Sequence, residues 1–176
     1  MNQDQWDREN LESAYERAKG SCDPSTQNGA ILRDEFALII GYGINEFPKG
    51  VLSIPNRWER PLKYSFIEHA ERNAIFAAAR KGLSTYGSTL FCPWSACTDC
   101  ARAIIQAGVK RLVRHTDALD RGSSRPGSGA DGRGAWDESI LIADQMLREA
   151  GVRITNVTGR LTSNLEMRMG GQVWTP

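Results

Sequence analysis

The sequence predicts a three-layer α/β/α domain, a mixed five-stranded sheet with helices on both faces. Three observations predict it. Two strand-like runs, 29–33 and 36–42, are only two residues apart, and so short a link requires an antiparallel hairpin. A helical segment followed by a strand-like one then recurs three times, and strands separated by whole helices run parallel with right-handed crossovers. Finally, 176 residues with 40% hydrophobic and 24% charged side chains suit a single domain, 1–176, with a real core.

The elements follow in order. Leu11, Ala14, Tyr15 and Ala18 keep the i, i+3, i+4, i+7 spacing of an amphipathic helix over 7–19, closed by Gly20. The hairpin turns at Asp34-Glu35. Residues 43–62 hold Pro48, Pro55 and Pro61 without periodicity, so a long loop is expected there. The Ala-rich segment 69–81 stops before Gly82 and is expected to be a helix. A strand at 88–92, a helix at 98–106 closed by Gly108, and a strand at 111–115 come next. Residues 120–135 contain five Gly, three Ser and one Pro, a composition that cannot pack a core, so a flexible insertion is expected. Trp136, Ile140, Ala143, Leu147 and Ala150 trace one helix face up to Gly151, and 152–157 alternates as a strand does. The tail, 158–176, receives no assignment.

Composition excludes several classes. The 22 Lys and Arg against 21 Asp and Glu leave a net charge of +1, which argues against a nucleic-acid-coating protein. The longest apolar stretch, 36–44, is too short and too Gly-broken to span a bilayer. The start, MNQDQWDREN, is acidic and polar where a signal peptide needs a basic start and an apolar run, so a cytoplasmic protein is expected. Four cysteines in such a chain point to metal or redox chemistry before disulfides.

The informative residues are His69, Glu71, Cys97 and Cys100. Cys97 and Cys100 form a C-x-x-C pair opening a predicted helix, where the positive end of the helix dipole favours thiolate, the form that binds metal. Two thiolates and one imidazole fill three corners of a Zn²⁺ tetrahedron and leave the fourth for water, the pattern of a catalytic site. Glu71 follows His69 by two residues, which on a regular helix would point them roughly 200° apart. Both face one pocket only if they straddle the helix start. A carboxylate beside an activated water, itself off the metal, takes the proton and passes it to a leaving group.

His69-Ala70-Glu71 followed by Cys97-x-x-Cys100 resembles the zinc-dependent cytidine deaminase superfamily. HAERNAI (His69 to Ile75) and CARAIIQAGVKRLV (Cys100 to Val113) are most similar to deoxycytidylate deaminases, phage-type ones included. DPSTQNGAIL (Asp23 to Leu32) and Gly43-x-Asn45-x-x-Pro48 extend the resemblance, which spans about residues 10–157. It implies the cytidine-deaminase-like fold and hydrolysis of deoxycytidylate (dCMP) to deoxyuridylate (dUMP) and ammonia, which feeds dTMP synthesis. It implies zinc on His69, Cys97 and Cys100, Glu71 as proton shuttle, Asn45 on the nucleotide and a backbone N–H near Ala70 on the pyrimidine carbonyl. A homo-oligomer, commonly a hexamer, and dCTP or dTTP effectors are also family traits. In one departure, Ala96 stands where the family has proline before the first cysteine. A softer loop with intact metal binding is expected.

Plainer alternatives stand beside these readings. Asn45 suits a turn residue as well as a substrate contact, and Trp94 suits either core packing or stacking on a pyrimidine. Arg57, Arg60 and Lys63 are either a solvated basic run or partners for a monophosphate, with Arg121, Arg125 and Arg133 as a competing set. Cys92 reads as a buried small hydrophobe and His115 as structural.

Overall fold

The computed structural model describes residues 2–123, 133–162 and 164–176, with side chains described outside 121–136. Helix α1 (Gln3–Ala18) leads into the hairpin β1 (Gly29–Arg33) and β2 (Ile39–Ile44). After a 3₁₀ turn at Pro55–Trp58 come α2 (Lys63–Phe66), α3 (Ala70–Arg80), β3 (Thr89–Phe91), α4 (Thr98–Gln106) and β4 (Arg111–His115). The chain continues through α5 (Thr116–Ser123), α6 (Arg133–Glu149) and β5 (Arg153–Val157), and closes with β6 (Met167–Met169) and β7 (Gln172–Trp174). No helix among the described residues is long and apolar enough to cross a membrane.

The expected mixed sheet forms, in the order β2-β1-β3-β4-β5. Strand β1 is antiparallel to both β2 and β3, while β3, β4 and β5 run parallel. Side chains alternate between its faces, as the pleat requires. Leu32, Leu90 and Leu112 pack with α3, α4 and α6 through Ala74, Ile104 and Leu147 on one face. Phe91, Val113 and Val157 meet Leu11 of α1 on the other. Two buried ion pairs tie helices to β4: Arg111 to Asp7 of α1, and Arg114 to Asp144 of α6 at 2.7 Å.

Two glycines let α3 lie directly on β2. A Cβ at Gly43 would stand 2.3 Å from the carbonyl oxygen of Ala70, and one at Gly41 2.2 Å from that of Ala74. Such contacts are forbidden to any side chain, so this close approach, which places the start of α3, depends on glycine at both positions.

The structure departs from the sequence reading at five places, the first being α1, which starts at Gln3 because the Asn2 side chain accepts the Gln5 N–H and caps it there. The turn of the hairpin runs to Leu38, because the Asp34 carboxylate accepts the Phe36 and Leu38 N–H groups and holds a wider loop. The expected loop 43–62 gives its first two residues to β2 and holds a 3₁₀ turn at Pro55–Trp58, and α2, which buries Lys63, follows it directly. The ends of the Gly/Ser-rich stretch are helical: α5 runs through Asp120 to Ser123 and α6 starts at Arg133, while 124–132 lies outside the described residues. The unassigned tail forms the β6-β7 hairpin, whose Gly170-Gly171 turn has positive φ at both residues (56° and 84°), the type suited to a two-residue link.

Candidate active site

Two helix starts meet at the site. His69 is the N-cap of α3, with extended backbone (φ −79°, ψ 153°), and Glu71 is the second helical residue. The chain is therefore not yet helical at His69, which removes the opposition a regular helix would impose on the pair. Cys97 is the N-cap of α4, at the end of the loop leaving β3, and Cys100 lies one turn on. Cys97 and Cys100 are buried and His69 partly so. Asn73, one turn into α3, fastens this end of the helix by donating to the Ile44 carbonyl at 2.8 Å.

The donor atoms fit a tetrahedral ion. His69 Nδ1 lies 3.5 Å from Sγ of Cys97 and 3.5 Å from Sγ of Cys100. Zn–S bonds of about 2.3 Å and a Zn–N bond of about 2.0 Å at a tetrahedral angle require an S···N edge of roughly 3.5 Å. All three donors lie within 4.8 Å of one another, and Cys92 is outside the group. Its thiol instead accepts a hydrogen bond from Asn28 Nδ2 at 3.2 Å, and burial pushes its pKa up, as expected of an inert buried cysteine.

The electrostatics suit a cation. The Cys100 thiol donates to Cys97, which lowers the Cys97 pKa to about 3 and raises that of Cys100. Burial opposes charge on His69, but the Cys97 contact and the Glu71 carboxylate outweigh it and raise its pKa. Burial pushes Glu71 up to about 7, against the attraction of His69. One carboxylate oxygen, Oε2, is buried with no hydrogen-bond partner. That orphan acceptor needs a donor inside the pocket, such as a water.

The expected substrate residues fall in three groups. Asn45 and Ala70 come together as each other's partners: Asn45 Oδ1 accepts the Ala70 N–H at 3.1 Å, and its NH₂ donates to the Thr26 carbonyl at 3.2 Å. Trp94 is partly buried against the cluster of Tyr15, Ala118, Leu165 and Trp174. The basic residues separate by partner. Lys63 is buried in an ion pair with Asp23 at 2.6 Å; Arg57 lies 4.4 Å over the Phe66 ring and donates to the Leu52 carbonyl; exposed Arg60 reaches Ser25 Oγ at 3.2 Å. Side chains of Arg121, Arg125 and Arg133 lie outside the described residues. His115 is structural: a carbonyl only accepts, so Nε2–H donates to Gly159 and Nδ1 accepts the Tyr15 hydroxyl at 2.8 Å.

Sequence reasoning missed the residues that hold the ligand turns. Ser139 of α6 accepts the Thr98 N–H at 3.1 Å and so caps α4 from 41 positions away, a relation no local pattern signals. Glu68 accepts the His69 N–H at 3.1 Å and pairs with Arg72. Their i, i+4 spacing could have flagged that pair.

Comparison with known proteins agrees with this geometry. Residues 4–116 match the family model described as the cytidine and deoxycytidylate deaminase zinc-binding region. An uncharacterised deaminase from the luxG 3′ region of Aliivibrio fischeri is 33% identical over 135 residues, 77% of this chain and 82% of the relative. The deoxycytidylate deaminase of Enterobacteria phage T2 is 40% identical over 89 residues, 51% of this chain but only 38% of the phage protein. The crystal structure of dCMP deaminase from cyanophage S-TIM5 superposes with a TM-score of 0.64 at 25% identity, covering 89% of this chain and 99% of that one. With its zinc-binding region matched and its donor triad in place, this chain belongs to the cytidine and deoxycytidylate deaminase family.

Proposed function

We propose that the protein hydrolyses dCMP to dUMP and ammonia. The observation that carries the reading is buried Glu71, with an unpartnered oxygen and a raised pKa, at the helix start that also presents the donor His69. The relatives named for dCMP support the choice of base and nucleotide. His69, Cys97 and Cys100 would hold zinc, which would supply the activation of a water toward C4 of the pyrimidine. Glu71, ionised at the start, takes one proton of that water and passes it to N3 as the oxygen bonds to C4; it then carries the second proton from that oxygen to the amino group, so that ammonia leaves as the C4–N bond breaks and the C4 carbonyl forms. Burial disfavours a permanent charge on Glu71, so the group can give up the proton as well as take it.

The 5′ phosphate is assigned to Arg60. Lys63 is neutralised by Asp23, and Arg57 is laid close on Phe66 and bound to the Leu52 carbonyl, whereas Arg60, 5.9 Å over the Tyr64 ring, stands at the exposed edge of the loop containing Ser25 and Thr26. That loop touches Asn45, and Asn45 touches Ala70, so the basic group and the pyrimidine end are linked by consecutive contacts. Asn45 and the Ala70 N–H are the contacts proposed for sugar and base, exchanging their mutual bond for the substrate, with Trp94 at the rim. Assembly into a homo-oligomer, control by deoxynucleoside triphosphates and a cytoplasmic location belong to the same proposal.

The test is ammonia release over a panel of dCMP, deoxycytidine, guanine and tRNA, with the wild type and Glu71→Gln. The wild type is expected to act on dCMP. Glu71→Gln is expected to keep stoichiometric zinc and lose roughly 10²–10⁴-fold in kcat. Preference for another panel member would replace the substrate, and tight dCMP binding without ammonia release would make the protein a binding module.

A further inference from the structure

The three donors sit on two turns of different helices, and their mutual distances depend on how those turns are held. Arg72, in the first turn of α3, reaches both. Its Nε and Nη2 pair with Glu68 Oε1, the same oxygen that accepts the His69 N–H. Its Nη1 lies 3.8 Å from Oδ2 of Asp99, which stands between Cys97 and Cys100 in the second turn. Glu68 is itself fixed, because its backbone forms a bridge with Glu46 through hydrogen bonds of 2.8 and 3.2 Å. Burial works against the guanidinium charge, and the carboxylates of Glu68 and Asp99 at its two ends outweigh it.

We propose that Glu68, Arg72 and Asp99 form an ionic brace that holds the two ligand-bearing turns at metal-binding separation, with Arg72 as its positioning residue. The inference rests on the reading of His69, Cys97 and Cys100 as the metal ligands. A planar guanidinium suits the task because its fork presents donors in two fixed directions, one toward Glu68 and one toward Asp99, which a lysine ammonium cannot do. The two arms are unequal. Glu68 and Arg72 are largely shielded, whereas Asp99 is half-exposed and also pairs with Arg102. Ion pairs of this exposure contribute little to global stability. Their effect is expected on the metal, since outer partners of metal ligands typically govern affinity by roughly 10–100-fold.

The experiment compares full-length wild type, Arg72→Gln, Arg72→Lys and Asp99→Asn by chelator-competition titration with zinc, urea unfolding of the metal-free form, and absorption spectra of the Co²⁺-substituted protein. Arg72→Gln is expected to weaken zinc binding roughly tenfold or more. Its metal-free unfolding midpoint should be unchanged, and its thiolate-to-cobalt band shifted. Arg72→Lys should fall between, keeping charge but losing the fork, and Asp99→Asn should show a smaller change in the same direction. Zinc affinity equal to the wild type in Arg72→Gln would overturn the brace, as would a loss matched by an equal loss of metal-free stability. A wild type that takes up no zinc would overturn the metal reading, and the brace with it.

Discussion

Arg57, Arg60 and Lys63 stand within seven positions of one another, yet their surroundings give them separate roles. Lys63 neutralises a buried carboxylate, Arg57 is held by the Phe66 ring at 4.4 Å and the Leu52 carbonyl, and Arg60, farther from its ring (Tyr64, 5.9 Å), keeps its charge at the surface beside Ser25. A charge-assisted hydrogen bond contributes about 1.5–3 kcal/mol, so Arg60→Ala is expected to raise KM for dCMP roughly 10–100-fold. Turnover of deoxycytidine, which has no phosphate, should stay unchanged; an equal loss on both substrates would remove Arg60 from the phosphate. The same scale shows the limits of reading residues one by one. His69, Glu71, Cys97 and Cys100 were legible because metal donors and a proton carrier leave few alternatives at that spacing. The Asn45–Ala70 bond was not, since two residues 25 positions apart become partners only after β2 and α3 are packed.

Element boundaries show what pattern alone conveys. The segments 98–106 and 111–115 coincide with α4 and β4, because apolar period and glycine stops agree there. Helix α5 and the β6-β7 hairpin were missed because they are short: α5 carries only Ala118 and Leu119 as apolar residues, and each strand has three residues, too few to display a period. Gly43 illustrates a tertiary demand hidden in a strand. A turn reading suits its sequence, yet it serves as the seat of α3. Gly43→Ala is expected to cost about 1–3 kcal/mol, the usual range for overpacking. By displacing the start of α3 it should also weaken zinc binding, measured by urea unfolding and metal content together. Wild-type values for both would show that the helix does not need this seat.

For the whole molecule, the C-terminal segment closes the face opposite α3. Met167, Met169 and Trp174 cover Tyr15, Ala18 and Ala118, while Gly170 and Gly171 donate to Thr26 Oγ1 and the Ser25 carbonyl. His115 lies beneath, stacked on Trp174 and fully buried. Burial lowers its pKa, with Gly159 and Asp117 opposing the shift and Arg8 reinforcing it. The unfolded chain therefore binds a proton that the folded one refuses. Stability should be complete above the ordinary value of 6.5 and fall as pH drops below it. Urea midpoints of the wild type are expected to decline more steeply from pH 8 to about 5.5 than those of His115→Gln. Parallel slopes would assign the acid sensitivity elsewhere.

The sequence by itself determined the sheet-and-helix order and the metal-and-carboxylate chemistry, because apolar period and donor type are local properties that the chain carries before it folds. The tertiary structure decided which cations are neutralised, what caps α4, how the ligand turns are braced and where the last residues pack. Each of these depends on a partner far along the chain, and burial fixes its energy only after the layers have closed.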